Sequence, residues 1–501
     1  MSVRRIAATG ACFLVGACLQ FGAYVCASDD ACQSDGAQGV CQATRYCSYP
    51  DTTCDSGQRY DEFAGDGLAD ECVEVDAAED TGPIDSSGSS DETTGTPPDA
   101  STEDTGEPIP ECGNGIVDPG EDCDDDNDVD GDGCNSDCTE SGTVLWDVVH
   151  PELGSVSRGV AVGPTGNIAV VGGRTENMQS DVLVLFYDPD GVAQWQRTFA
   201  SPGDHHDEGR QAAFDDAGDL YVTAWVTFDD EVPQQGPNSW TRAYDPRGGD
   251  GWTAVFNGPT DGADRTFDVA TRADEVIVVG NTTGDVWVRG YDADDGEPRW
   301  TWTTAIEDSR FDGASGIAVT DDAVYVAGDV DNADDGRDAW FARLTVEGDT
   351  ATADWIEIVD PGGIESDTAL GIAVAPDGGL ILCGRRNELA WVARYSEEGT
   401  FEWERFDDTL QTPSDVRGVG VDSEGQIVAV GYETDPKQGE DAFVTKYAPD
   451  GTMIWTRRYD GPAGGTDRAR AVAVGPDRTI AVSGFTDAVD GRRAWVRKYS
   501  P

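Results

Sequence analysis

From residue 143 to its end the chain alternates short apolar runs with acidic, glycine-rich breaks, and the pattern returns seven times. The first run reads Arg158-Gly159-Val160-Ala161-Val162 and recurs near 211–214, 267–270, 316–319, 371–374, 418–421 and 471–474, at spacings of 47 to 56 residues. A turn and a second apolar run follow, as in Ile168-Ala169-Val170-Val171-Gly172 and Ile427-Val428-Ala429-Val430-Gly431. Apolar runs this short, bounded by Gly and Asp, predict strands buried on both faces rather than helices. A third run alternates, as in Ala494-Trp495-Val496-Arg497-Lys498-Tyr499. Turns such as Asp188-Pro189-Asp190-Gly191 then lead into a fourth run that carries a tryptophan.

The fourth-run tryptophans are Trp195, Trp252, Trp300, Trp355, Trp403 and Trp455, one for each of the six complete repeats. The seventh repeat stops at Tyr499-Ser500-Pro501, before its fourth run. The missing piece stands at the other end, where Thr143-Val144-Leu145-Trp146-Asp147-Val148-Val149 has the fourth-run pattern. Circular closure removes the exposed strand edges that an open array would leave. The prediction is an all-β, seven-bladed β-propeller over residues 143–501, with a closing blade shared between its two ends. The pattern resembles the β-propeller repeats of bacterial secreted proteins. The turn followed by Trp is also similar to the tryptophan-docking motif of quinoprotein propellers, a likeness of scaffold and not of cofactor. These tryptophans are expected to be inter-blade packing anchors.

The first 142 residues follow a different logic. Arg4 and Arg5 precede a mostly apolar stretch, 6–17, that is too short to span a membrane. Two endings compete. Val15-Gly16-Ala17-Cys18 resembles a bacterial lipobox, giving a signal peptide at 1–17 and a lipid on Cys18; Val25-Cys26-Ala27 would give an ordinary signal peptide at 1–27. Of 13 cysteines, twelve lie before residue 139. Lipidation of Cys18 leaves Cys26, Cys32, Cys41, Cys47, Cys54 and Cys72 as an even set of six, whereas cleavage after Ala27 strands five, so the lipoprotein reading is favoured. Either route leads to an oxidising, extracytoplasmic compartment: a cell surface, an outer membrane or the medium.

A cysteine-rich module is expected at 18–72, held by disulfides because it has little apolar material. Residues 73–110 are acidic and rich in Ser, Thr, Gly and Pro, which predicts a disordered tether extended by self-repulsion. A second cysteine-rich segment occupies 111–140, with Cys112, Cys123, Cys134 and Cys138 framing Asp124-Asp125-Asp126-Asn127 and Gly131-Asp132-Gly133. It resembles the cysteine-rich repeat of myxobacterial secreted proteins, a relative of the Notch-like repeats of pappalysins. The 39–60 stretch likewise resembles a module near the N-termini of myxobacterial surface proteins. The family of the cysteine-rich repeat usually has Gly where this chain has Asp126, at a position that often needs an unusual backbone conformation. Related Notch-like repeats bind Ca²⁺, so the resemblance makes Asp124, Asp125, Asp130 and Asp132 candidate calcium ligands. The competing reading makes them turn formers bonded to backbone amides, and it is the favoured one.

Charge narrows the partners. The chain has 98 Asp and Glu against 33 Lys and Arg, a formal charge of −65, which excludes nucleic acid and disfavours an anionic membrane surface. Membrane attachment is therefore expected only through a lipid. Arg outnumbers Lys by 30 to 3. An aspartate recurs before the first strand of most repeats: Asp207, Asp264, Asp312, Asp367, Asp415 and Asp467, with Ser155 in the first. Repetition at equivalent sites favours turn capping over chemistry. Of three histidines, His205 and His206 sit in an Asp-His-His-Asp-Glu cluster that reads as a solvated loop rather than a metal site, and His150 stands apart. Cys383 occupies a second-strand position where other repeats have Val or Ala, and is expected to be buried. No nucleophile elbow, zinc-peptidase helix or phosphate loop is visible. The expectation is a monomeric surface-displayed binding or adhesion protein for an unknown protein or glycan, with no catalytic residues assigned. A structural envelope protein and a polysaccharide hydrolase or lyase are the alternatives.

Overall fold

The computed structural model describes strand segments between residues 33 and 60 and then residues 112–501, apart from 118–120, 128, 177–178, 203–204, 228–235, 259–261, 307–311, 333–335, 360–365, 408–412, 436–438 and 462. The chain divides into two units, Met1–Asp104 and Thr105–Pro501. In the first, Gln33–Ser34 pairs with Ala37–Gln38, and Val40–Cys41, Cys47–Pro50 and Gln58–Tyr60 form a three-stranded sheet. Cys41 and Cys47 are register partners there. The leader, Cys18, Cys26, Cys32, Cys54, Cys72 and the 73–110 tether lie outside the described residues.

The second unit is a seven-bladed propeller of four-stranded antiparallel sheets. The inner strands are Ser155–Val162, Glu208–Phe214, Asp264–Arg272, Asp312–Val319, Thr368–Val374, Ser414–Val421 and Arg468–Val474, numbered here as blades 1 to 7. Each second strand is apolar on both faces because it lies between its own sheet neighbours and the two adjacent blades. Val276 to Val279 and Ile427 to Val430 are fully buried. The clusters that hold the ring cross blade boundaries. One joins Val171 and Val184 of blade 1 to Val222 and Trp240 of blade 2.

The ring closes as the repeat count predicts. Val144–Val149 is the fourth strand of blade 7, antiparallel to Gly491–Tyr499, with Trp495 opposite Val149 and Tyr499 opposite Val144. The turn between these strands is rebuilt from two chain segments. Gly142 N–H donates to Pro501 O at 3.0 Å and Ser500 N–H to Thr143 O at 2.8 Å. Gly142 takes φ +70°, as Gly451 takes φ +80° in the continuous turn of blade 6.

Most fourth-strand tryptophans tie one blade to the next. Trp146 Nε1 donates to Pro189 O (2.9 Å), Trp195 to Pro246 O (3.2 Å), Trp252 to Ala293 O (2.7 Å) and Trp403 to Pro449 O (3.2 Å). Each indole lies on the turn glycine of the next blade; a Cβ on Gly191 would stand 2.7 Å from Trp146. Trp300 departs from the pattern. It lies opposite Gly290, turns into the space that residue leaves, and donates to Glu275 Oε1 at 2.5 Å. It still packs between blades, against Val324 and Trp340 of blade 4.

Candidate ligand site in the central channel

An up-and-down blade puts the inter-blade connections and the second-to-third-strand hairpins on one face of the disc. The other face carries the first-to-second and third-to-fourth turns. Every inner strand starts at the connection face and bulges at its third or fourth residue. A bulge re-aims the extra side chain away from the ladder. The seven residues so placed line a cavity of about 290 Å³ on the axis. Blades 6, 7, 1 and 2 contribute Arg417, Arg470, Arg158 and Arg210; blades 3, 4 and 5 contribute Phe267, Ser315 and Leu370. In a chain of charge −65, four guanidinium groups from consecutive blades face one small cavity.

Their partners differ. Arg158 pairs closely with Glu208, whose other oxygen lies 3.7 Å from Arg210 Nη1. Arg417 Nη2 lies 2.6 Å from Asp415, which also accepts the Tyr432 hydroxyl at 2.7 Å. Arg210 stacks on Phe267, its Cζ 5.0 Å from the ring centre. Arg470 has no carboxylate partner among the described residues, and its Cζ lies 5.4 Å from the Phe485 ring. Burial pushes Arg470 down to about 9, with Arg417 and Arg158 adding like-charge repulsion. Burial and then Arg158 push Arg210 down to about 10, against the pull of Glu208. Both remain cationic near neutrality, and an anion in the cavity would relieve both.

Directly after the bulge, five of the seven blades narrow the ring with Gly159, Gly316, Gly371, Gly418 and Ala471, while blade 2 has Gln211. A Cβ on Gly316 would meet the Gly371 Cα at 2.9 Å, so the small residue is required by the approach of the inner strands. Blade 3 breaks this tier with Asp268. Its carboxylate accepts Ile317 N–H at 3.0 Å and Val269 N–H at 2.8 Å, while burial pushes its pKa up to about 7.

Five of the six expected capping aspartates accept backbone amides, while Asp415 pairs with Arg417 and Tyr432. Asp207, Asp264, Asp312 and Asp467 are fully buried and accept the backbone N–H six residues upstream: Ser201, Gly258, Ile306 and Gly461. Asp367 receives Asn387 N–H at 3.0 Å. Ser155 takes the place in blade 1, receiving Ala494 N–H at 3.0 Å. Asp207 is thereby committed, and His206 lies 5.7 Å from the Trp225 ring, so the His205–Glu208 stretch does not converge on a metal. His150 is buried beside Gln196. Cys383 is fully buried, and burial raises its thiol pKa far above the usual range.

The cysteine-rich segment 112–142 sits on the turn face of blades 6 and 7. Arg478 donates to Asp130 O, and Arg457 Nη2 donates to Ser141 O at 2.8 Å. Cys123 and Cys134 form a disulfide. Cys112 and Cys138 are neighbouring thiols; Cys138 is pushed up to about 12 by burial and then by Cys112 and Glu121. Asp126 takes φ +66°, a left-handed backbone conformation that favours glycine. Asp124 accepts four backbone N–H groups, from Gly113, Asn114, Gly115 and Asp126, which hold its pKa below the usual value. Asp130 Oδ1 accepts Ser136 N–H at 2.7 Å, and Asp125 Oδ2 accepts Cys134 N–H at 2.8 Å. Among the four candidate calcium ligands, Asp125 Oδ1 and Asp132 Oδ1 are buried oxygens without a hydrogen-bond partner, so two of the four retain a buried oxygen suited to a hard cation.

No family model and no curated protein matches the sequence. Among solved structures, the chain is similar to the Dos1 propeller, at 9% identity over 72% of this chain and 95% of that one, with a TM-score of 0.46. It is also similar to the quinohemoprotein alcohol dehydrogenase ADHIIG from Pseudomonas putida HK5, at 12% identity over 71% of this chain and 75% of that one, TM-score 0.42. A europium-containing methanol dehydrogenase matches at 9% identity over 72% of this chain and 93% of that one, TM-score 0.39.

Proposed function

We propose that this chain is an extracytoplasmic, lipid-anchored binding protein of the myxobacterial surface type, whose propeller takes an anionic ligand in its central channel. The observation that carries the reading is the arc of four guanidinium groups contributed by consecutive blades, with Arg470 lacking any carboxylate partner among the described residues. Convergent cations in a concave, partly desolvated pocket are the means by which proteins hold carboxylate, sulfate or phosphate groups. The carboxylates nearest the cavity do not favour hydrolysis. Glu208 and Asp415 are paired with arginines, and Asp268 accepts two backbone amides.

The two faces support a display role. The 112–142 segment covers the turn face, while the arginine arc lies near the starts of the inner strands, toward the connection face. On this reading a ligand reaches the arc from the connection face of the propeller. Titration calorimetry of sodium acetate into the full chain tests the anion reading. Acetate should bind, and a double R158Q/R470Q variant should weaken it at least tenfold. Equal binding by both proteins would refute it.

A further inference from the structure

The bulge ring has two dissimilar halves. Arg417, Arg470, Arg158 and Arg210 occupy adjacent blades and form one side of the cavity. Phe267 and Leu370 stand on the opposite side, in blades 3 and 5, with a serine between them. None of these neutral residues is needed to close the ring, because the inner strands already approach closely in the tier immediately below, at Gly159, Gly316, Gly371 and Gly418. A bare inorganic anion would satisfy the arginines and leave the Phe267 ring and the Leu370 side chain facing water. A cavity of about 290 Å³ also stands at the lower end of the range for organic ligands and exceeds what a single oxyanion needs.

We infer that the channel selects a compact organic anion with an apolar body, its charged group on the Arg470–Arg158 side and its body against Phe267 and Leu370. The inference rests on the anion-binding reading above. Arg210 is placed to serve both halves, since its guanidinium already lies over the Phe267 ring at 5.0 Å. A charged polymer fits poorly, because it would have to cross the surface of a propeller with 65 Asp and Glu against 29 Lys and Arg over residues 143–501 to reach the axis. The carboxylate, sulfate or phosphate form of the head group is shared chemistry that the arginines alone do not distinguish.

The test is calorimetry on the full chain with benzoate, acetate, benzamide and heparin, at one pH and salt concentration. Benzoate should bind at least tenfold more tightly than acetate, with no measurable heat from benzamide or heparin. The benzoate-to-acetate ratio should fall towards one in Phe267→Ser and, as a second variant should that one misfold, in Leu370→Ser. Arg470→Gln should weaken both acids at least tenfold. Equal affinity for benzoate and acetate in the wild type would overturn this inference and leave the anion reading standing. Heparin binding more tightly than benzoate would overturn it in favour of a polyanion. Failure of both acids to bind would remove the anion reading itself.

Discussion

Trp146→Ala is the sharpest probe of how the ring is held shut. The indole belongs to the only fourth strand that does not follow its third strand in sequence, so blade 7 depends on it without a covalent turn. The ring lies over Gly191, its Nε1 donates to Pro189 O at 2.9 Å, and its centroid is 6.3 Å from that of Tyr187. Trp→Ala in a full core costs about 3–5 kcal/mol, and this half-buried indole should forfeit about 2 kcal/mol of that. The lost hydrogen bond adds about 1 kcal/mol, for a total of ~3 kcal/mol. Trp146→Phe keeps the stack and loses only the bond, so it should cost about 1–2 kcal/mol. Urea unfolding gives the stabilities, and amide exchange gives the location. Protection should fall along Gly491–Tyr499 first, because that strand becomes an edge. Trp195→Ala removes comparable contacts between blades 1 and 2 but should not selectively expose a strand, since that blade is continuous in sequence. A Trp146→Ala protein within about 0.5 kcal/mol of wild type, with unchanged exchange in Gly491–Tyr499, would refute closure by this segment.

Other consequences follow from single contacts. Asp312→Ala strands the buried Ile306 N–H, which it accepts at 2.6 Å, and should cost about 2–3 kcal/mol in urea unfolding. Asp126→Gly relieves a residue at φ +66° and should stabilise the cysteine-rich segment by up to about 1 kcal/mol, read as a shift in its own melting. Asp268, raised from 3.8 to about 7, stays protonated in the folded chain after it has ionised in the unfolded one. Stability should therefore fall on the order of 4 kcal/mol as pH rises from about 4 to 8, and Asp268→Asn should abolish that fall. The ionised carboxylate also lines the cavity that the arginines face, so acetate should bind more tightly at pH 6 than at pH 8, with the difference lost in the same variant. Non-reducing mass spectrometry of the protein purified under oxidising conditions should show Cys112 joined to Cys138, which already lie side by side.

The blade count and closure were legible because both rest on period and complementarity, which a linear sequence displays directly. The capping aspartates were legible for the same reason, since a backbone amide needs an acceptor at the start of the inner strand in most blades. Trp300 was not, because its altered role depends on Gly290, a residue across the sheet in a different strand. The arginine arc escaped for a subtler reason. Arg158, Arg210, Arg417 and Arg470 each stand immediately before an apolar run, at positions that look like ordinary polar strand edges. Only the bulge at each of them turns that side chain to the axis. The signal that could have found them was available: an arginine at the same repeat position in four adjacent blades, counting circularly. Circular adjacency becomes meaningful only once closure is accepted. The calcium candidates show how little spacing alone says of an aspartate's role. Four aspartates within nine residues look like a ligand set, yet Asp124 and Asp130 are already engaged by backbone amides.

The sign of the channel matters because it opposes the sign of the molecule. At physiological ionic strength the screening length is about 8 Å, so a small anion near the axis responds mainly to the local arginines. A polyanion longer than that samples the acidic exterior as well and is turned away. The arc is also stored at a cost in the empty protein. Glu208 and Asp415 neutralise Arg158 and Arg417 in part, but Arg470 and Arg210 carry depressed pKa values, which mark a cation held in an unfavourable place. A fold has no reason of its own to put four guanidinium groups around one axis, since Phe267, Ser315 and Leu370 meet the same backbone requirement without charge. Ligand binding that satisfies the arc should return that cost as stability, about 2.7 kcal/mol at a ligand concentration one hundred times Kd. The arginines are thus better explained by what enters the channel than by what holds the propeller together.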